Sequence, residues 1–213
     1  MRLTPSGNPV EQLATALVAG ARAEAAALVT EATRKAGYEA MTQHLIQPAM
    51  YRVGDWWQEG RIGVAHEHLA SAIVQRLLAE QVTKEEPATA PLGRKALIAC
   101  VATNRHCLGT RIVADALELR GWEVHYLGAD VPTEEIVAHA EHLRPEVLGL
   151  SASLQRQIPI LREVTGRVRE ALANDPPRIV AGGLGVNRLH GTDKLPAVDG
   201  CFPHAGAMLE AIG

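Results

Sequence analysis

Aromatic residues are scarce in this sequence, which has three Trp, three Tyr and one Phe among 213 residues. At 3% of the chain, the tryptophans and tyrosines are not all expected to be routine core filler. Cysteine is scarce too, and Cys100, Cys107 and Cys201 are odd in number and far apart, which argues against a disulfide framework. No stretch approaches the roughly 18 apolar residues that span a bilayer, and the N-terminus lacks the apolar core of a signal peptide. These absences predict a soluble, cytoplasmic protein.

The chain also lacks an excess of basic charge, since its formal net charge is -3. A nucleic-acid binder needs a basic face to neutralise phosphates, and neither helix-turn-helix nor zinc-finger spacing occurs. Direct DNA binding is therefore not expected. Apolar residues (47%) and charged residues (21%) have ordinary globular values. The length suffices for one large domain or two small ones with a sizeable core.

Residues 9–83 have the pattern of four helices. Apolar residues at helical spacing begin at Val10, and an alanine-rich run follows over residues 21–32. A third helix is predicted from Tyr38 towards Trp57, with a kink at Pro48. The predicted apolar stripes of the third and fourth helices are Met41, Leu45, Met50 and Val53, and Val64, Leu69, Ile73, Leu77 and Leu78. Four helices with short connections predict a small antiparallel bundle.

A charged, proline-bearing linker is predicted over residues 84–94, and the pattern changes after it. Short apolar runs typical of buried parallel strands alternate with helical segments over residues 95–213. Strands are predicted at 96–101, 123–127, 147–150 and 178–181, with a short one near 198–202. This alternation predicts an α/β fold with a doubly wound parallel sheet, Rossmann-like or flavodoxin-like, which binds ligands at the carboxyl ends of its strands.

The loop after the first predicted strand, residues 104–109, places His106 at that edge of the sheet. Gly109 would let a large group approach the start of the next helix. Zinc is disfavoured at His106 because such sites have three or four protein ligands and nothing nearby supplies them at zinc spacing. A metal held in a macrocycle needs only one protein ligand. The alternative for His106 is a plain surface residue.

Small residues end two other predicted strands, with Ser151 and Ser153 after one and Gly182 and Gly183 after the next. Together they predict a narrow channel beside His106. The alternative for the glycine pair is a tight turn.

These motifs together resemble the cobalamin-binding domains of methionine synthase, corrinoid methyltransferase proteins and B12 photoreceptors. The resemblance rests on residues 104–109, 126–132, 151–153 and 182–183. It implies that His106 coordinates cobalt in place of the dimethylbenzimidazole, whose nucleotide tail enters the slot by Ser151 and Gly182. The cofactor-binding residues that it implies here are Asn104, Arg105, His106, Cys107, Leu108, Gly109, Ser151, Ser153, Leu154, Gly182 and Gly183. The family usually has a carboxylate at the position of Asn104; the Asn104 carbonyl oxygen can accept the same hydrogen bond from the histidine ring but carries no charge.

The helical half carries a second motif, in which Trp57 is followed by Val64 and by the pair Glu67 and His68. It is similar to the cap of the B12-dependent photoreceptor repressors, in which the corresponding residues surround the adenosyl group of adenosylcobalamin. The alternative is that Trp57 fills the bundle core while Glu67 and His68 are solvated.

The resemblance implies a light sensor with no catalytic residue of its own, and the protein is not expected to be an enzyme. Adenosylcobalamin is the expected cofactor, with methylcobalamin as an alternative form. The predicted bundle begins near Pro9, which leaves no room for a preceding DNA-binding domain. The protein is therefore expected to signal through a partner, such as a transcription regulator, or by changing its own oligomeric state. The alternatives are a corrinoid carrier, B12 storage or trafficking, and a photoreceptor with a bilin as second chromophore.

Overall fold

A computed structural model of the chain describes residues 7–85, 91–189, 195 and 197–212. It divides the chain into two compact units, residues 1–86 and 87–213. Residues 86–90 of the predicted linker lie outside the described residues. Within the described ranges, no helix combines the length and the apolar character that crossing a membrane would require.

The first unit is helical. Its elements are α1 (Pro9–Val18), α2 (Arg22–Met41), a π-helix (Thr42–Ile46), α3 (Gln47–Gln58) and α4 (Val64–Val82). Helix α1 begins at Pro9 because the Asn8 side chain accepts a hydrogen bond from the Val10 amide at 3.0 Å, and because proline at this position needs no partner for an N–H group.

The helix is distorted, as predicted, but the distortion lies before Pro48 and not at it. The helical backbone breaks at Gly37 (φ 79°, ψ 171°) and then widens into the π-helix directly before α3. There the Gln47 amide donates to the Thr42 carbonyl, five residues back. Pro48 has no N–H and its ring would clash with the carbonyl four residues earlier, so the wider turn accommodates it.

The buried face of the fourth helix also differs from the predicted apolar stripe at its beginning. Val64 is exposed and Leu69 half-buried, and the buried face of α4 begins at Ala70. Val64 lies nine residues before Ile73, which is about 180° around the helix, so the two side chains take opposite faces. In the third helix, Met50 is half-buried rather than buried.

Trp56 is the large core residue of this unit, with 1% of its surface exposed. The guanidinium groups of Arg52 and Arg61 each lie 5.3 Å from its ring centroid, within the range of a cation–π interaction. The neighbouring Trp57 is 46% exposed.

The second unit confirms the predicted α/β fold. Its strands are β1 (Lys95–Val101), β2 (Glu123–Val131), β3 (Val147–Ser151), β4 (Arg178–Gly182) and β5 (Gly200–Phe202). The intervening helices are α5 (Leu108–Leu119), α6 (Thr133–Leu143), α7 (Ile158–Ala171), α8 (Leu184–Asn187) and α9 (Ala205–Ile212), with a 3-10 turn at Gln155–Gln157. All pairings are parallel and the strand order is β2-β1-β3-β4-β5.

Strand β1 is buried on both faces, because alternate side chains enter two separate cores. Leu97, Ala99 and Val101 belong to the core that contains α6 and α7. Ala96 and Ile98 belong to the core that contains α5 and α9. The strand order reverses between β1 and β3, and in such sheets ligands bind at the carboxyl ends of the strands at this point.

Candidate functional site

The loop after β1 presents His106 at the carboxyl edge of the sheet. His106 is exposed, and within the described part of the chain its imidazole has no hydrogen-bond or ion-pair partner. The loop backbone, by contrast, is held: the His106 amide donates to Asn104 Oδ1 at 3.2 Å, and the His106 carbonyl accepts from Cys100 Sγ at 3.7 Å. Because the backbone is fixed and the imidazole has no partner, His106 is suited to coordinate a metal ion that a bound cofactor carries.

Asn104 is fully buried and joins this loop to the end of β3. Its Nδ2 donates to the Ser151 carbonyl at 2.9 Å and contacts Ser151 Oγ at 3.3 Å. Its Oδ1 is engaged by the His106 amide, so in this structure the oxygen holds the backbone of His106 and not its ring. A carboxylate has no hydrogen to donate to the Ser151 carbonyl, so Asn104 makes a contact that the carboxylate usual in the family could not make.

Gln157 makes a second link between the same two loops, and the sequence had not pointed to it. It is fully buried, and its Oε1 accepts hydrogen bonds from the amides of Ser153 and Leu154, both at 2.9 Å. Its Nε2 donates to the Thr103 carbonyl at 2.9 Å. In the sequence it stands in the polar run 155–157, where nothing distinguishes it from its exposed neighbours Gln155 and Arg156.

Asp130, near the end of β2, holds the loop from the other side. Its Oδ1 accepts from the Thr103 amide at 2.6 Å, and its own amide donates to the Asn104 carbonyl at 2.9 Å. Its Oδ2 lies 3.8 Å from Nε of Arg105, whose side chain is largely exposed. Asp130 belongs to the stretch 126–132 that resembles the family, but it was not among the predicted site residues.

The carbonyl of Cys107, the residue after His106, accepts hydrogen bonds from two side chains. Thr110 Oγ1 donates to it at 2.8 Å and the Tyr126 hydroxyl at 3.2 Å. Burial raises the pKa of Tyr126 well above its usual range, so the hydroxyl stays a donor. Burial also raises the pKa of the Cys100 thiol to about 11, which keeps this cysteine neutral and unreactive at physiological pH.

The glycines at this edge have two different environments. A Cβ on Gly109 would meet no atom within 4 Å, so the space beside it is open. At Gly183 (φ 98°), a Cβ would lie 2.6 Å from the Ala152 carbonyl oxygen and 2.9 Å from Ser151 Oγ. Gly183 therefore serves the close packing of two strand ends, and the channel at Ser151 and Gly182 stays a prediction.

The remaining predicted site residues of the α/β half differ in exposure. Ser151 is buried, and the half-buried ones are Cys107, Leu108, Ser153, Leu154 and Gly182. The structure thus brings the predicted residues of the α/β half together around the ends of β1, β3 and β4. Among the described residues, no group of three or more His, Cys, Asp or Glu side chains could hold a free metal ion.

The predicted cap residues lie in the helical unit. Trp57 (46%) and Val64 (51%) are exposed, and Val64, Glu67 and His68 share one face at the start of α4. Glu67 Oε1 accepts from Ser71 Oγ at 2.7 Å, and its Oε2 lies 3.7 Å from His68 Nε2. The alternative that Trp57 fills the bundle core is wrong, because Trp56 takes that place.

A family model described as "B12 binding domain" matches residues 94–213, which is more than half of the chain. The chain belongs to the B12-binding domain family. A second model, also described as a B12 binding domain, matches residues 9–80. Cobalamin is accordingly the cofactor of this B12-binding protein, as the resemblance implied.

The individual proteins that the chain resembles include a transcriptional repressor and corrinoid proteins. The chain is 35% identical over 125 residues to the HTH-type transcriptional repressor CarA of Myxococcus xanthus, covering 59% of this chain and 42% of the repressor. It therefore spans less than half the length of that relative. It is 25% identical over 179 residues to trimethylamine corrinoid protein 1 of Methanosarcina acetivorans, covering 82% of each. The monomethylamine corrinoid protein of Methanosarcina barkeri has the same fold, with a TM-score of 0.75, 20% identity and coverage of 94% of each chain.

Proposed function

We propose that this B12-binding protein is a light-responsive sensor that binds adenosylcobalamin with His106 as the protein ligand of cobalt. We further propose that it signals through a protein partner, such as a transcription regulator, or through a change in its own oligomeric state. When bound, adenosylcobalamin supplies a cobalt–carbon bond that light can break. The residues of the chain supply the ligand, the loop geometry and the contacts that differ between the dark and illuminated states.

The α/β unit fits the cofactor because it offers one unengaged imidazole and open space beside it. Asn104, Gln157 and Asp130 fix the backbone around His106 through buried or short hydrogen bonds. The loop can therefore hold His106 in place without using its ring. At Gly109, at the start of α5, an added Cβ would meet no atom within 4 Å, so the side of the helix at this position is open.

The single observation that carries light sensing is the exposure of Trp57. Adjacent tryptophans lie in opposite environments, since Trp56 is buried and Trp57 is 46% exposed. An exposed indole is a flat apolar surface suited to cover an aromatic group such as adenine. Glu67, on the next helix, carries a carboxylate that can accept hydrogen bonds from ribose hydroxyls. We propose that Trp57, Val64, Glu67 and His68 contact the adenosyl group.

The test measures the binding of adenosylcobalamin and hydroxocobalamin in the dark, and then the absorption spectrum before and after green light. Trp57→Ala should weaken adenosylcobalamin roughly ten- to hundredfold, since a lost aromatic contact costs on the order of 1–3 kcal/mol, and should affect hydroxocobalamin much less. Tyr51→Ala is the matched control, because Tyr51 is an equally exposed aromatic residue of α3. Light should change the spectrum of the adenosylcobalamin complex.

Equal weakening of both cobalamins by Trp57→Ala, or a spectrum that light leaves unchanged, would contradict the proposal. The second candidate is then a corrinoid carrier in a methyltransferase system, which the alignment over 82% of both chains favours. A carrier should bind methylcobalamin without any need for Trp57. A bilin as second chromophore, and B12 storage or trafficking, stay predictions from the resemblance.

A further inference from the structure

Two histidines of the α/β unit face each other. His125 Nδ1, on β2, lies 2.7 Å from His139 Nε2, on α6. The ring centroids are 5.0 Å apart and the ring planes are tilted by 57°, so the rings are not stacked. One nitrogen of each ring therefore faces a nitrogen of the other ring, and the two rings belong to different elements.

The position of His125 in the sheet makes the pair unusual. Val124 and Tyr126 pack against the core on the α5 side, whereas Leu127 packs against the core on the α6 side. Since side chains alternate along a strand, His125 shares the α6 side with Leu127. An apolar residue would ordinarily stand there. Strand β2 is an edge strand of the sheet, and both histidines are half-buried, so solvent can reach them.

A carboxylate lies on the far side of His125. Glu123 Oε1 is 3.5 Å from His125 Nε2, the nitrogen that does not face His139. Metal-bound histidines commonly have this arrangement, in which the second ring nitrogen donates to a carboxylate that orients the ring and increases its basicity. An ordinary pair of hydrogen-bonded histidines does not require it.

We infer that His125 Nδ1 and His139 Nε2 together bind a divalent first-row transition-metal ion, for which Zn²⁺ is the probe. Two zinc–nitrogen bonds of about 2.0–2.1 Å at a tetrahedral angle place the nitrogens roughly 3.3 Å apart, so the rings need to separate by only about 0.6 Å. Water completes the coordination, because no third His, Cys, Asp or Glu among the described residues joins such a group. Two protein ligands are fewer than the three or four of a permanent zinc site, so the ion should bind weakly and exchange readily with the solvent.

This site is separate from the cobalamin loop. His125 pairs with Leu97 near the beginning of β1, whereas His106 follows the carboxyl end of the same strand. The inference therefore does not depend on the light-sensing proposal or on His106 as a ligand.

The experiment titrates Zn²⁺ into the full chain, without a histidine tag, by calorimetry. We expect one Zn²⁺ per chain. His125→Gln and His139→Gln should each weaken binding at least tenfold, because glutamine keeps a hydrogen-bonding group but is a poor zinc ligand. His44→Gln is the matched control, an exposed histidine of the helical unit, and His106→Gln controls for the cobalamin loop. Both should bind Zn²⁺ within about twofold of the unaltered chain.

A second measurement uses the unaltered chain and needs no substitution. Nuclear magnetic resonance of the imidazole nitrogens should show the signals of His125 and His139 shifting together on addition of Zn²⁺. If the unaltered chain takes up no Zn²⁺, or if its uptake survives both His125→Gln and His139→Gln, the pair is a hydrogen bond only and the inference is overturned.

Discussion

At the scale of single residues, the backbone conformation of Gly183 limits which amino acids can stand at this position. Its φ of 98° and ψ of 158° lie in a region that only glycine adopts readily, and the Ala152 carbonyl fills the space of a Cβ. Two independent penalties, backbone strain and steric overlap, thus fall on one substitution.

We expect Gly183→Ala to lower the free energy of unfolding by about 2 kcal/mol or more, measured by urea denaturation. Gly109→Ala is the matched control at the same edge of the sheet. Gly109 lies in α5, where an added methyl group would have no neighbour within 4 Å, and the substitution should be neutral or stabilising by up to about 1 kcal/mol. Equal effects of the two substitutions would show that the close approach of the strand ends is not what requires glycine.

Single residues also mark the limit of what the sequence could predict. His106 stood out because it lies in a loop between a strand and a helix, because Gly109 follows three residues later, and because small residues end two other predicted strands. The helical pattern alone did not distinguish Trp56 from Trp57, because both fit it, and only the resemblance assigned Trp57 to the cap. The structure buries Trp56 beside the guanidinium groups of Arg52 and Arg61. Gln157 gave no signal, since its role depends on the three backbone groups that surround it in the fold.

At the scale of elements, the loops after β1 and β3 form one hydrogen-bonded assembly. Gln157 connects the Thr103 carbonyl to the amides of Ser153 and Leu154, and Asn104 connects the same loops a residue further on. Both side chains are fully buried.

Gln157→Leu should destabilise the chain by about 3 kcal/mol, because it removes three hydrogen bonds that contribute on the order of 1 kcal/mol each. Hydrogen exchange should accelerate locally at Ser153 and Leu154. The control is Gln155→Leu, in which an exposed glutamine loses one bond to the Gly185 carbonyl and about 1 kcal/mol or less. Unchanged exchange at Ser153 and Leu154 would contradict the assigned role.

The elements themselves were largely predictable. Continuous apolar runs identified β1, β3 and β4, because strands buried on both faces contain few polar residues. The π-helix at Thr42–Ile46 was not predicted, since proline was expected to bend the helix at its own position. The turn before Pro48 takes up the distortion instead, a choice that depends on the packing of the surrounding helices.

At the scale of the whole molecule, the proposed role of His106 as the cobalt ligand would couple cobalamin binding to stability. Cobalamin that binds only the folded chain should stabilise it by about 2.7 kcal/mol at a hundredfold excess over Kd. We expect His106→Ala to leave the cobalamin-free protein within about 0.5 kcal/mol of its original stability, because the side chain is exposed, and to remove most of the stabilisation by cobalamin.

The measurement is a thermal unfolding curve with and without cobalamin. His142→Ala, in an exposed histidine of α6, should retain the full shift. A His106→Ala protein that cobalamin stabilises as strongly as the unaltered chain would rule out His106 as the cobalt ligand.

The contrast between Trp56 and Trp57 has a practical consequence for spectroscopy. The chain has three tryptophans, of which Trp56 (1%) and Trp122 (5%) are shielded from solvent, while Trp57 is 46% exposed. A small aqueous quencher such as acrylamide therefore reaches mainly Trp57, and the quenchable fraction of the native fluorescence belongs to the surface that Trp57 presents. The intrinsic emission of the protein is thus a built-in, label-free reporter of whether that surface is covered.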